Sequence, residues 1–254
     1  EPTETVRLMR ALAVPELAAY TELLAAQPDC NGLRALFTTW ITLPQSVLDE
    51  LVPALQRGCV QLVADDGEFG MEARTLLELS ERYPGDAGVL AALLLNRVVL
   101  APGEAIFLPA GNLHAYLSGA GIELMANSDN LLRGGLTPKH VDVPELLRIL
   151  DFTAAPPPAV TAHNEDGWIR YDVPIEEFRL WRWEGESSEP EIKVPDSGPR
   201  ILLCTAGSTW VRGAKGEMRL RRGQAVWLPA SDTGISVGPQ EPGTQLFLAG
   251  DGLP

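Results

Sequence analysis

The chain has 254 residues, a formal net charge of −14 and 45% hydrophobic residues, the composition of an ordinary globular protein. The negative charge excludes a phosphate backbone as a natural partner, and no nucleic-acid partner is expected. The longest strictly apolar run, Val89 to Leu95, is seven residues, too short to span a bilayer, so no membrane partner is expected. Cys30, Cys59 and Cys204 are widely spaced and odd in number. They predict no disulfide framework and a reducing, cytoplasmic location. The start at Glu1 has no basic region followed by an apolar one, so no signal peptide is expected.

Residues 1 to 93 predict a helical domain of five or more short helices. Leu33, Leu36, Phe37, Trp40 and Ile41 fall at i, i+3, i+4, i+7 and i+8, one apolar helix stripe. Val47, Leu48, Leu51, Val52 and Leu55 form another, which Pro53 is expected to kink or end. Glu72 to Arg82 should stop at the breaker Tyr83-Pro84-Gly85. No chemistry stands out in this part.

Residues 94 to 155 change character. Val98–Leu100, Ala105–Leu108, His114–Leu117 and Ile122–Ala126 are short apolar runs separated by Gly- and Pro-containing turns, the pattern of a small β-barrel or sandwich. A helix is expected over Pro144 to Ile149. Residues 156–160, within the stretch opened by Ala154-Ala155-Pro156, read as a stiff proline linker. Residues 161–254 predict a second β domain. Its strands are expected at Trp168–Val173, Phe178–Trp183, Arg200–Thr205, Ser208–Arg212, Met218–Leu220, Ala225–Pro229 and Gln245–Ala249. An internal echo supports a duplicated barrel: Gly103-Glu-Ala-Ile-Phe-Leu-Pro-Ala110 matches Gly223-Gln-Ala-Val-Trp-Leu-Pro-Ala230. The second copy has Gly234 where the first has His114.

The spacing G-E-x-x-x-x-P-A-G-x-x-H over residues 103 to 114 resembles the second motif of the cupin barrels. Three further stretches, P-A-G-N-L-H-A-Y-L-S-G (109–119), S-D-N-L-L-R-G-G-L-T-P-K (128–139) and V-D-V (141–143), closely resemble the type I phosphomannose isomerases. The likeness is dense over about residues 94–155 and looser at both ends. It implies a mainly β fold with cupin-like barrels, the first incomplete and the second degenerate, plus an α-helical insertion domain.

It also implies a zinc-dependent aldose–ketose isomerase interconverting mannose 6-phosphate and fructose 6-phosphate, so a sugar phosphate is the expected partner. The family's second zinc histidine falls on His114, its catalytic arginine on Arg133 and its T-P-K lysine on Lys139. Tyr116, Glu123 and Asp129 fall on polar positions of the same pocket. These residue types suit the chemistry. Negative charge grows on the sugar oxygens as an enediol forms, and a cation placed there stabilises the transition state more than the ground state. Arg offers a planar fork to oxygen pairs, and Lys a point charge for a phosphate. In this acidic chain Arg133 and Lys139 supply the local positive spot such a substrate needs.

Each residue also has a plainer reading. Arg133 can pair with Asp129 at i+4, and Asp129 is an ordinary turn residue. Lys139 can be a solvated surface lysine, and Tyr116 barrel packing. Glu123 lies between Ile122 and Leu124, so it faces away from both, and in a barrel lumen a carboxylate needs a partner or a function. His140 and His163 are assigned no role. The family's remaining zinc ligands lie in an upstream Q-x-H motif and a Glu, and this sequence contains no Q-x-H. One imidazole cannot make a tetrahedral zinc site. The expectation is therefore a C-terminal portion whose missing N-terminal segment supplies the other ligands, and which is inactive alone. The alternative is a non-catalytic, metal-free cupin-like binding or scaffold module.

Overall fold

The computed structural model describes residues 1–128, 131–156, 159–186, 190–196 and 198–253. These fall into two units. One comprises residues 1–99, 108–119 and 131–156; the other comprises 100–107, 120–128 and 159–253.

The first unit is helical. Helices α1 (Pro2–Ala11), α2 (Ala18–Ala26), α3 (Cys30–Ile41), α4 (Gln45–Ala64), α5 (Gly70–Arg82), α6 (Gly88–Ala91) and α7 (Val143–Ile149) follow in order, with 3-10 turns at Pro15–Leu17 and Ala92–Leu94. Helix α3 starts where the Asp29 carboxylate accepts the backbone N–H groups of Asn31 (2.8 Å) and Gly32 (3.0 Å). Those bonds, Gly32's foremost, hold the Asp29 carboxyl below the usual carboxylate range. The apolar stripe of α3 closes the core: Leu36 and Trp40 are fully buried, and Tyr20 meets Trp40 edge-on at 5.9 Å.

Helix α4 does not end at Pro53. The proline removes one i→i−4 bond at a cost of about 3 kcal/mol. It lies on the exposed face, while Leu48, Leu51, Val52, Leu55, Cys59 and Leu62 are buried on the other. Each buried aliphatic side chain contributes about 1.5–3 kcal/mol, so the packed stripe outweighs the missing bond.

The second unit is mainly β. A six-stranded antiparallel sheet has the order β1-β2-β3-β10-β5-β8, with β1 Ala162–Glu165, β2 Trp168–Tyr171, β3 Arg179–Gly185, β5 Arg200–Ala206, β8 Ala225–Leu228 and β10 Thr244–Gly250. A four-stranded sheet has the order β4-β9-β6-β7, with β4 Ile192–Lys193, β6 Ser208–Gly213, β7 Gly216–Arg221 and β9 Ser236–Pro239. Alternate residues of both sheets share one core, from Trp181, Leu202 and Leu248 on one side to Val211, Leu220 and Val237 on the other. The cupin-like degenerate domain is thus two facing sheets, and no closed barrel forms among the described residues.

Arg200 is buried at 1% exposure within this unit. Its guanidinium donates to the carbonyls of Pro195 and Asp232 and pairs with the Asp196 carboxylate at 3.0 Å. It thereby joins two loops, at residues 195–196 and at 232.

The short strands expected between 98 and 126 are not formed. That segment is turns and irregular backbone with one isolated bridge, Ile106 to Ala159. A strand exists only through ladder bonds to a neighbour, and no neighbouring strand among the described residues pairs with these runs. The internal echo is nonetheless visible in the turns. Gly103 and Gly223 both take positive φ, +89° and +80°. The backbone N–H of Ala101 donates to Glu104 Oε2 at 2.8 Å, and that of Arg221 to Gln224 Oε1 at 2.9 Å. The Glu104 and Gln224 amides return to the Ala101 and Arg221 carbonyls at 3.0 and 2.9 Å.

The three cysteines are free, Cys30 exposed and the other two buried. Burial pushes the Cys59 thiol up to about 12 and raises that of Cys204. At pH 8 a thiol reagent should therefore modify Cys30 quickly and Cys59 only after unfolding. A fast second equivalent assigned to Cys59 by peptide mapping refutes this. Between about 8.5, the ordinary thiol value, and the raised folded value, only the unfolded chain ionises Cys59. Its contribution to stability is full below that window and falls as pH rises through it.

Candidate functional site

His114 and Tyr116 lie on the irregular segment that follows the Pro109-Ala110-Gly111 turn. Their rings meet edge to face, 6.2 Å between centroids and 88° between planes. Both side chains are exposed, Tyr116 at 76%. His114 Nδ1 lies 3.1 Å from the Asn112 carbonyl oxygen. A carbonyl can only accept, so that contact assigns the proton to Nδ1 and leaves Nε2 as the lone-pair nitrogen of the neutral ring. This is the orienting contact a metal-ligating histidine requires.

Arg133 and Lys139 flank a glycine-containing loop of the same unit, and both side chains are exposed. The Lys139 N–H donates to Thr137 Oγ1 at 3.2 Å, a local turn that sets where the lysine leaves the chain. The Thr137 N–H in turn donates to Asp86 Oδ2 at 3.4 Å, and Asp86 Oδ1 accepts the Gly88 N–H at 2.6 Å. Glu123 is exposed between two partly buried neighbours, Ile122 and Leu124, the alternation expected of it, and belongs to the second unit. Asp129 lies outside the described residues. The structure thus brings His114 and Tyr116 together, and it places Lys139 on a loop anchored by Asp86. Reading Tyr83-Pro84-Gly85 as a helix breaker missed that anchor. The only available signal was the carboxylate immediately after the turn.

Among the described residues no group of three or more His, Cys, Asp or Glu side chains could hold a metal ion. The donors present, one imidazole with a free-standing Nε2, do not by themselves fit zinc, which takes four ligands in a tetrahedron.

No protein-family model matches the chain. It is 31% identical over 241 residues to the mannose-6-phosphate isomerase of Escherichia coli strain K12, covering 93% of this chain and 59% of that one. It is 41% identical over 166 residues to the mannose-6-phosphate isomerase of Rattus norvegicus, covering 62% of this chain and 39% of that one. The chain is homologous to the mannose-6-phosphate isomerases. The fold agrees with that relationship. A crystal structure of mannose 6-phosphate isomerase from Salmonella typhimurium, bound to fructose 6-phosphate and zinc, superposes with a TM-score of 0.85 at 27% identity, over 100% of this chain and 62% of that one. The chain therefore spans about three fifths of the length of the bacterial mannose-6-phosphate isomerases it matches.

Proposed function

We propose that the protein is a mannose-6-phosphate isomerase that interconverts mannose 6-phosphate and fructose 6-phosphate with the aid of zinc. The observation that carries this reading is homology along 93% of the chain to an enzyme of that name, together with a structural relative that holds fructose 6-phosphate and zinc. In the reaction one proton leaves C2 of the aldose and one arrives at C1, while a hydroxyl proton moves from O2 to O1. Arg133 is assigned to the oxygens at C1 and C2. Its fork donates to both as charge develops, and it keeps its own proton throughout. Lys139 holds the 6-phosphate by point charge, fixing the far end of the sugar. Tyr116, Glu123 and Asp129 are assigned as further polar substrate-binding residues. His114 is assigned as one zinc ligand through Nε2. A cytoplasmic location belongs to this reading and is supported by the three free cysteines. No described helix is long and apolar enough to cross a membrane.

That no group of three metal donors stands among the described residues supports a second reading, a metal-free cupin-like binding module. One experiment separates the two. The natural protein is purified, its intact mass recorded, its zinc measured and its conversion of mannose 6-phosphate followed by proton NMR. The isomerase reading expects bound zinc, turnover, and loss of turnover with a chelator that zinc restores. A zinc-free, inactive protein of undegraded mass establishes the binding module instead.

A further inference from the structure

We infer that Asp86 is a positioning residue for Lys139: its carboxylate clamps the 134–139 loop onto the start of helix α6 and so fixes where the lysine meets the substrate phosphate. The inference rests on the phosphate role given to Lys139 above.

The loop is strained. Gly135 has φ +114°, and Leu136, which is not glycine, has φ +53°. A left-handed non-glycine residue costs about 1–3 kcal/mol and persists only where its surroundings over-determine it. Three features do so here. The Asp86 carboxylate bridges two amides, Gly88's at 2.6 Å and Thr137's at 3.4 Å. The backbones of the loop and of α6 touch: a Cβ on Gly88 would lie 2.7 Å from the Leu136 nitrogen, and one on Gly135 would lie 2.7 Å from the Gly88 Cα. The Leu136 side chain is partly buried against the helical core. From Thr137 the hydrogen-bond chain passes to the Lys139 N–H. The same loop also supports the histidine segment, because Gly134 leaves room only for Leu113, whose Cδ1 is 2.4 Å from where a Cβ would stand. Leu113 directly precedes His114. A helical element otherwise without chemistry therefore sets the register of two candidate site residues.

Asp86→Asn tests this in the full-length protein. The amide oxygen can keep the Gly88 N–H, whereas the amide nitrogen cannot accept the Thr137 N–H, so the loop tie is cut with the local turn retained. The expected result is a KM for mannose 6-phosphate raised roughly three- to tenfold, the range for loss of one net hydrogen bond. The kcat should stay within about twofold and the Tm within about 2 °C. The double variant with Lys139→Ala should bind no worse than Lys139→Ala alone, because both changes remove one interaction. Thr137→Val, which removes the acceptor for the Lys139 N–H, should give the same KM rise and the same non-additivity, and it serves should Asp86→Asn fail to fold. A KM unchanged in the variant, or losses that add in the double variant, overturns the positioning role alone. If Lys139→Ala itself leaves KM unchanged, the phosphate reading falls, and this inference with it.

Discussion

Replacing Arg133 by Ala in the full-length protein should lower kcat by about 10²–10³-fold, the loss seen when one preorganised donor to a developing oxyanion is removed. KM should change far less, since the guanidinium is assigned to charge that appears only as the enediol forms. Arg133→Lys should recover only part of the rate, because an ammonium offers a point charge where the site calls for a fork. Steady-state kinetics with mannose 6-phosphate decide the matter. The competing role, an exposed ion pair with Asp129, is worth about 0–1 kcal/mol. Full activity in Arg133→Ala would leave only that role.

The second large effect concerns stability. Arg200→Ala should destabilise the β unit by about 2–4 kcal/mol, with each carbonyl left without its donor costing about 1–3 kcal/mol. The carbonyls are those of Pro195 and Asp232, which the guanidinium now serves together. Asp196 adds less, because it is about half exposed and water can replace its partner. Urea unfolding followed by tryptophan fluorescence reads mainly this unit, which holds five of the six tryptophans, Trp168, Trp181 and Trp183 buried in its core. Arg200→Lys should stay well below wild type, since three donors on one nitrogen cannot reach two carbonyls and a carboxylate held in a planar fork. A midpoint unchanged in Arg200→Ala would show that the two loops are held by something else.

Local pattern was enough for the helices and for most of the β unit. The stripe of Leu33, Leu36, Phe37, Trp40 and Ile41 lies on α3, and the runs at Arg200–Thr205 and Ala225–Pro229 lie on β5 and β8. The strands that went unread are short or poorly suited by composition: β1 is Ala-His-Asn-Glu, β4 has two residues, and β9 ends in Gly238-Pro239. The runs at 98–126 show the opposite failure. Their apolar alternation is real, but a ladder is a relation between distant segments, and no periodicity within one run reveals whether its neighbour is there. Pro53 fails for a related reason, since its penalty is local and the packing that outweighs it is tertiary. In the site, the His114–Tyr116 ring contact was not read in advance, although the i, i+2 spacing was a signal for it. Asp86 was not read either, because what makes it matter is an amide 51 positions downstream.

The paired turns at Gly103 and Gly223 bear on how the chain organises itself in time. Each closes the same side-chain and main-chain bonds, although one leads into a laddered strand and the other into backbone held by a single isolated bridge. The turn is thus an autonomous local event, closed within four residues with little loop entropy to overcome. The strand that follows waits for a distant partner. Both turns should be early structures in folding, with the pairing of β8 to β5 a later and slower step.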